Sequence, residues 1–519
     1  MGAFSAGAWH DRGFGPAPIR CGVLEAWFAR AFCRQVRTLG VARMRLEPGN
    51  GAGQRCPEKL DGSSGQMRGA EHFSAKWYRL AVHKCGRNKG IERQPGPDRA
   101  SADQAPRRPF TLLLQGPAGP FFRCLQQHLA KSGFDAWRIT FNAGDRLFSD
   151  RKRIGFEGDL NAWECWLKAF LNARPVQCII LFGCMRPVHV VARRLAAAAG
   201  VPILSLEEGY IRPGFITVEV GGNNASSPFA GRLPLGNAPA KSPRKPPEDF
   251  RSFPAMCRYG ALYYAAVLFS SRGERELLHR HCSAVTEAFC WLRNFWRYHR
   301  SRRRDRVLAD HLRGNCSGSY FLVPLQVASD GQMAHAYGWT TQKLVGVVLT
   351  SFARHAADSR QLVFKVHPLE RGHNIIRHEV ARLAAALGVG QRVHVVESGP
   401  LGPLVQACSG MITINSTSGL SAIFHGVPLL VVGDAIYSHP KLAICAAGEP
   451  DFDAFWQGDQ VAEAELRQNY LDTLIENCLT PGDFYCRQGI ALACAGIVAR
   501  LQEIESVQSR VAAELEASC

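Results

Sequence analysis

The sequence has no run of about 18 apolar residues, so no membrane-spanning helix is expected. The apolar stretch Gly260–Phe269 is too short to span a bilayer. The first residues hold no compact apolar segment of the kind that marks a secretory signal. The 18 cysteines include no Cys-x-x-Cys and no Cys/His cluster at zinc spacing. That argues against a disulfide framework and a structural metal site. The cysteines read instead as small buried hydrophobes of a reducing compartment. Acidic residues are scarce beside basic ones, 44 against 62, which leaves a formal charge of +18. Residues 1–108 hold 19 Lys and Arg against 9 Asp and Glu, so +10 of that excess sits there. The remaining excess still favours anionic partners such as a membrane face or charged nucleotides and sugars. No recognised nucleic-acid motif is present, so no nucleic-acid partner is expected.

What is present is enough chain, 519 residues, for two or three domains. Residues 1–108 lack clean periodicity, are rich in Gly, Arg and Pro, and read as a poorly ordered basic extension. Patterning begins at Phe110. Apolar runs ending in Gly or a turn (Phe110–Gly116, Trp137–Phe141, Cys178–Gly183, Val201–Glu208) alternate with helical spacing at Phe121–Lys131 and Pro187–Ala199. That alternation is the signature of βαβ units and a parallel sheet. A second such series runs from Tyr320 to Val432. It comprises strands at Tyr320–Leu325, Gln361–Val366, Arg392–Val396, Gly410–Ile414 and Pro428–Val432, with a helix opening at Asn415. The expected fold is α/β and GT-B-like: two Rossmann-type domains, 109–310 and 311–485, facing a central cleft. A helical segment, 486–519, follows. An insert at about 230–310 interrupts the first domain. Within it, Trp291, Phe295 and Tyr298 fall at helical spacing among arginines. This reads either as a helix for an anionic membrane surface or as an interdomain helix.

Three polar stretches fall at strand carboxyl ends, where open α/β sheets bind ligands. The first is Glu207-Glu208-Gly209. Adjacent carboxylates push one pKa upward, which suits an acid/base; the plainer reading is a solvated turn. The second is His367-Pro368, a phosphate donor or else a core histidine. The third is Ser416-Thr417-Ser418 at a helix start, which binds phosphate or merely caps the helix. The loop at Gly116 and Gly119 is a weaker candidate for cradling a phosphate or sugar.

In this order the stretches resemble bacterial transferases that use CMP-activated 2-keto sugars, and more closely the KpsS/LipB-type capsule polysaccharide proteins. The residues that carry the resemblance are Gln115-Gly-Pro, Phe141–Asp145, Glu207–Pro213, Pro324–Gln332, Lys365–Pro368 and Asn415–Ser421. It runs from about Phe110 to at least Leu442. The resemblance implies a retaining β-Kdo transferase that moves Kdo from CMP-Kdo to a (lyso)phosphatidylglycerol lipid, starting the capsule linker. It implies work at the cytoplasmic, inner face of the inner membrane, as a peripheral protein beside other capsule biosynthesis and export proteins. Residue by residue, Glu207 or Glu208 would be the acid/base and Asp330 the nucleophile. His367, Pro368, Lys365, Gln326 and Ser416, Thr417 and Ser418 would hold the donor, with Gly116, Asp145, Arg186 and Arg212 elsewhere in the cleft. No cofactor is expected, and no metal, since a CMP-sugar has a single phosphate to neutralise. One position departs from the pattern: Cys184 stands where an acidic residue is expected. That keeps open a non-catalytic assembly or export component, alongside a transferase of another CMP-sugar such as CMP-sialic acid.

Overall fold

Short, fully apolar strands followed by one-sided helices build two largely parallel sheets, each covered on both faces. The computed structural model describes residues 108–518 apart from 235–248, 278–283, 329, 374, 446–449 and 459. The basic extension over 1–107 and most of the Pro- and Lys-rich loop after Pro234 therefore lie outside the described residues.

The first half contains β1 (Phe110–Leu113), β2 (Asp135–Thr140), β3 (Arg153–Gly155), β4 (Val176–Phe182), β5 (Ile203–Glu208) and β6 (Phe215–Val220). Its helices are α1 (Phe121–Lys131), α2 (Ala143–Leu147), α3 (Leu160–Ala173) and α4 (Pro187–Ala198). The insert carries α5 (Phe253–Val267), α6 (Arg272–Arg275) and α7 (Ala284–Gly314). The second half contains β7 (Tyr320–Pro324), β8 (Gln361–Lys365), β9 (Val393–Val396), β10 (Gly410–Thr413), β11 (Leu429–Val431) and β12 (Ile444–Cys445). Around them run α8 (Thr341–His355), α9 (Ile376–Ala386), α10 (Gly402–Gln406), α11 (Gly419–His425), α12 (Phe452–Phe455) and α13 (Ala464–Cys478). Then β13 (Leu479–Pro481) and α14 (Arg487–Ser518) return to the first half.

The sheets are ordered β13-β6-β5-β4-β1-β2-β3 and β12-β11-β10-β7-β8-β9. Strands such as β7 are buried at every residue, as a sheet covered on both faces requires. Aliphatic and aromatic clusters sit on either side of each sheet, for example Leu113, Leu125 and Ile180 on one face of the first and Leu112, Trp163 and Leu181 on the other. Two Rossmann-type halves with a C-terminal segment that crosses back make the architecture GT-B-like. Two strands depart from the parallel reading: β6 pairs antiparallel with β5, and β13 antiparallel with β6. That return comes before residue 485, and α14 then packs on the first half through Ile497 and Leu501.

The halves share buried contacts. Tyr210 and Phe215, from the first, sit in the core of the second. Asn224 ties them more specifically. Its Nδ2 donates to the Asn415 carbonyl at 3.0 Å, and its Oδ1 accepts from the Ile436 amide at 2.9 Å. The Asn224 amide donates to the Tyr210 hydroxyl at 2.6 Å, and that hydroxyl donates to buried Glu219 at 2.5 Å.

Helix α7 docks on the second half by its polar face. Buried Asp305 accepts from the Glu397 and Ser398 amides at 2.8 and 2.9 Å. Arg297 pairs with Glu397, and Asn294 donates to the Pro368 carbonyl at 2.9 Å. Tyr298 lies beneath the Arg371 guanidinium, 5.1 Å from it, and Trp291 meets the His373 ring. The stripe read from the sequence is therefore partly an interdomain contact. Among the described residues, no helix is long and apolar enough to cross a membrane. Of the described cysteines, Cys178, Cys184, Cys316, Cys408, Cys478 and Cys494 are buried, but Cys165 and Cys257 are exposed.

Candidate active site

Strand alternation sends the two glutamates in opposite directions. Glu207 turns toward the second half, where Gln332 Nε2 donates to its Oε2 at 3.4 Å. Glu208 turns toward the returning C-terminal segment, where the Tyr485 hydroxyl donates to its Oε1 at 3.3 Å. Burial, and then the charge of Asp330, push the Glu207 pKa up to about 7, against the opposing pull of Arg212 and Arg186. Burial also raises Glu208, opposed by Arg212 and supported by Asp483. The expected acid/base pair is thus divided, and the glutamate that meets Asp330 is Glu207.

Asp330 opens a single turn of 3-10 helix over Gly331–His335. One carboxylate oxygen accepts from the Gln332 amide at 3.0 Å, the other from Gln326 Nε2 at 3.1 Å. Both plainer possibilities for this residue, loop and N-cap, hold for its backbone role. Its carboxyl group nonetheless acts on Glu207 across the meeting of the halves. Gln332 links the two acids: its backbone serves Asp330, its side chain serves Glu207, and its carbonyl accepts from Asn415 Nδ2 at 2.7 Å. The amide oxygens of Gln326, Gln332 and Asn415 are buried with no hydrogen-bond partner among the described residues. Buried polar atoms left so are costly unless a ligand satisfies them.

On the other flank, His367 follows β8. Its Nδ1 accepts from the Leu369 amide at 3.2 Å, so the remaining proton sits on Nε2. Burial, Arg212, Lys365 and Arg371 lower its pKa to about 4. His367 is therefore a neutral hydrogen-bond donor, not an acid at neutral pH. Arg212, exposed on the loop after β5 and anchored by its Nε to the Gly209 carbonyl at 2.9 Å, acts on Glu207, Glu208 and His367 alike. Ser416, Thr417 and Ser418 are half-buried and precede α11 rather than lying within it. Ser418 makes no capping hydrogen bond; its hydroxyl donates to Ser416 Oγ at 2.9 Å. The Tyr437 hydroxyl holds the Ser416 carbonyl at 2.6 Å, under Gly419, where a Cβ would stand 2.2 Å from that hydroxyl.

Four expected residues are engaged with other partners. Asp145 is fully buried in an ion pair with Arg138 at 3.2 Å and also accepts from the Phe141 amide at 3.1 Å. Gly116 packs beneath Phe122, whose ring would be 2.8 Å from an added Cβ, so it serves close packing, not a phosphate cradle. Lys365 is buried, its pKa brought down to about 8 by burial and by Arg371, and it donates to its neighbour's carbonyl at 3.3 Å. Pro368 is exposed, with its carbonyl taken by Asn294. Arg186 is closer to the site: it donates to Gln115 Oε1 at 3.0 Å and to the Gly116 carbonyl at 3.2 Å while acting on Glu207.

Cys184 is buried beside this cluster. Its sulfur accepts from the Asn223 amide at 3.4 Å, and burial together with Glu207 pushes the thiol up to about 11. It is a neutral thiol that adds no charge next to Glu207. The one Asp-x-Asp spacing in the sequence, Asp451 and Asp453, is not in the site. Asp451 caps α12, and Asp453 accepts from Ser351 and pairs with His355 at 3.2 Å.

Sequence reasoning missed Gln332, Asn415, Asn224 and Tyr485 as site residues. Gln332 and Asn415 stood inside stretches already singled out. Tyr485 carried no local signal, because only the return of the C-terminal segment brings it to Glu208.

Comparison with known proteins finds similarity both to solved structures and to curated sequences. The solved structure of Thermosulfurimonas dismutans KpsC, a beta Kdo 2,7 transferase, aligns over 75% of this chain and 99% of its own at 12% identity and a TM-score of 0.35. The calicheamicin glycosyltransferase CalG4 aligns over 78% and 100% at 13% identity and a TM-score of 0.30. Among curated sequences, the capsule polysaccharide export protein KpsS of Escherichia coli is 33% identical over 70% of this chain and 94% of its own. The capsule polysaccharide modification protein LipB of Neisseria meningitidis serogroup B is 30% identical over 72% and 91%. The profile described as capsule polysaccharide biosynthesis protein matches residues 177–485, which span Glu207, Asp330, His367 and Ser416. The chain belongs to the capsule polysaccharide biosynthesis protein family.

Proposed function

We propose that the chain is a retaining glycosyltransferase that moves Kdo from CMP-Kdo to a (lyso)phosphatidylglycerol-type lipid. The observation that carries this reading is the pair formed by Glu207 and Asp330, one from each half, joined through Gln332. Retention by two displacements needs a carboxylate nucleophile and a second carboxyl that exchanges a proton with the acceptor. Asp330, held in place by two hydrogen-bond donors, attacks the anomeric carbon, and CMP leaves with the bonding electrons. The acceptor hydroxyl then attacks the glycosyl ester, its proton passes to Glu207, and the Asp330 carboxylate is released. A Glu207 pKa of about 7 sits where a general base works well at neutral pH.

The surrounding groups suit an anionic donor. Neutral His367 offers an Nε2–H, and Arg212 adds a fixed charge near both the glutamates and His367. Arginine pairs well with carboxylate and phosphate, and CMP-Kdo carries one of each. The unpartnered amide oxygens of Gln326, Gln332 and Asn415 suit sugar or ribose hydroxyls. The same groups would suit CMP-sialic acid, which a donor panel separates. A non-catalytic assembly component is the second reading, favoured by the uncharged Cys184.

The test is CMP release and lipid glycosylation with CMP-Kdo and lysophosphatidylglycerol, comparing wild type with Asp330→Ala. The expected result is product from the wild type and a loss of at least about a hundredfold in the variant. Equal rates in both proteins, or lipid binding without turnover in either, would overturn the assignment.

A further inference from the structure

Helix α7 has a second face, opposite the one that docks on the second half. Asn294, Ser301, Asp305 and Leu312 mark the buried side. The side turned to solvent carries Phe289, Leu292 and Trp296, which are 66%, 64% and 59% exposed. They follow the i, i+3, i+7 spacing of one helical stripe, which continues into exposed Arg300 and Arg303. The Arg300 guanidinium sits over the Trp296 ring at 5.4 Å. A helix lying on a protein ordinarily turns its polar residues outward, whereas this one docks largely by polar residues and turns large apolar side chains to solvent. The insert repeats the feature: α5 is followed by Leu268 and Phe269, the latter 76% exposed.

We infer that the outward face of α7 seats the protein on an anionic lipid bilayer. Exposed Phe, Leu and Trp beside arginines match the boundary between acyl chains and phosphate headgroups, each group meeting its own layer. A second copy of the chain fits less well, because two-fold pairing would set the Arg300 and Arg303 rows against themselves. Nucleic acid would leave Phe289 and Leu292 against phosphate. The placement also has a purpose. Asn294 of α7 binds Pro368 beside His367, while Tyr263 of α5 accepts from Asn142 at 2.9 Å and from Gln115 at 3.3 Å near the carboxyl edge of the first sheet. Both insert helices flank the cleft, so seating them on lipid brings the cleft to the headgroups. This seating does not depend on which sugar is transferred, or on whether any is.

The test is flotation of the full-length chain with vesicles of phosphatidylcholine alone, or with about one-third phosphatidylglycerol. The wild type is expected to float with the anionic vesicles and to release at high salt. Both F289A/L292A/W296A and R300E/R303E are expected to weaken binding about tenfold or more, at unchanged circular dichroism and melting temperature. Wild-type binding by both variants would overturn the inference, because the vesicles would then be held elsewhere, for example by the basic segment 1–107. It would also be overturned if the wild type ignored vesicles, whether it bound RNA or formed a dimer that the apolar variant dissociates. Transfer to lysophosphatidylglycerol in detergent should be unchanged in F289A/L292A/W296A. Loss of transfer in the wild type would count against the transferase reading alone.

Discussion

Gln332 donates its side-chain amide to Glu207 of the opposite half at 3.4 Å while its backbone holds Asp330 at 3.0 Å. One residue thus sets the separation of the two carboxyl groups on which the proposed chemistry depends. Its donation lowers the Glu207 pKa, whereas the Asp330 charge raises it. Gln332→Ala is expected to cost about tenfold to a hundredfold in kcat/KM, the scale of a small misplacement of reacting groups. It should also move the Glu207 titration above 7. Asp330→Asn should move it the other way, toward an ordinary carboxylate. Carbon NMR titration of the Glu207 carboxyl checks both signs, and shifts in the same direction would refute the arrangement.

His367 is neutral in the folded protein because its pKa falls from an ordinary 6.5 to about 4. Above 6.5 neither folded nor unfolded chain protonates it. As the pH falls from 6.5 toward 4, only the unfolded chain takes up the proton, and stability is lost in that window. His367→Gln removes this contribution. Urea unfolding at pH 7 and at pH 4.5 should show a loss greater in the wild type than in the variant by about 2 kcal/mol, allowing for its partial exposure. An equal loss in both proteins would contradict the assigned environment.

Asp145 is built into the framework of the first half. Its ion pair with Arg138 is fully buried, so Asp145→Ala leaves an uncompensated guanidinium inside the protein. The expected cost is about 3–5 kcal/mol of stability. Donor KM measured on the folded fraction should stay at the wild-type value. A raised KM at unchanged stability would return Asp145 to the site.

The sequence carried the fold well where periodicity and turn chemistry coincide. Phe121–Lys131 folds over the range its apolar spacing marks, and the largely apolar runs at Tyr320 and Gln361 are central strands. It carried less where pairing is long-range. Phe215–Val220 pairs antiparallel with the strand before it, and Leu479–Pro481 becomes the antiparallel edge strand only because the chain returns to the first sheet; no local pattern announces either. The site shows the same division. Glu207 and His367 stood out as polar residues at strand ends, whereas Asp330 was marked only by the family resemblance. Which glutamate faces Asp330 rests on strand register, and the burial of Asp145 and Lys365 rests on packing by Arg138 and the Arg371–Glu397 network. Around α7 the sequence showed aromatics among arginines, but a periodicity of three or four does not say which stripe is the docked one. The docked face is named by Asn294, Asp305 and Tyr298.

The most direct measurement compares Glu207→Gln with Glu208→Gln in transfer from CMP-Kdo to lysophosphatidylglycerol. The account predicts a loss of about a hundredfold or more for Glu207→Gln, with the rise in rate through pH 7 abolished. Glu208→Gln, which disturbs the contact with Tyr485 and removes a charge on the side away from Gln332, should keep that pH profile and lose far less. Wild-type turnover by Glu207→Gln, or a Glu208→Gln variant that alone is inactive, would contradict the central claim that Glu207 and Asp330 work as the pair across the cleft.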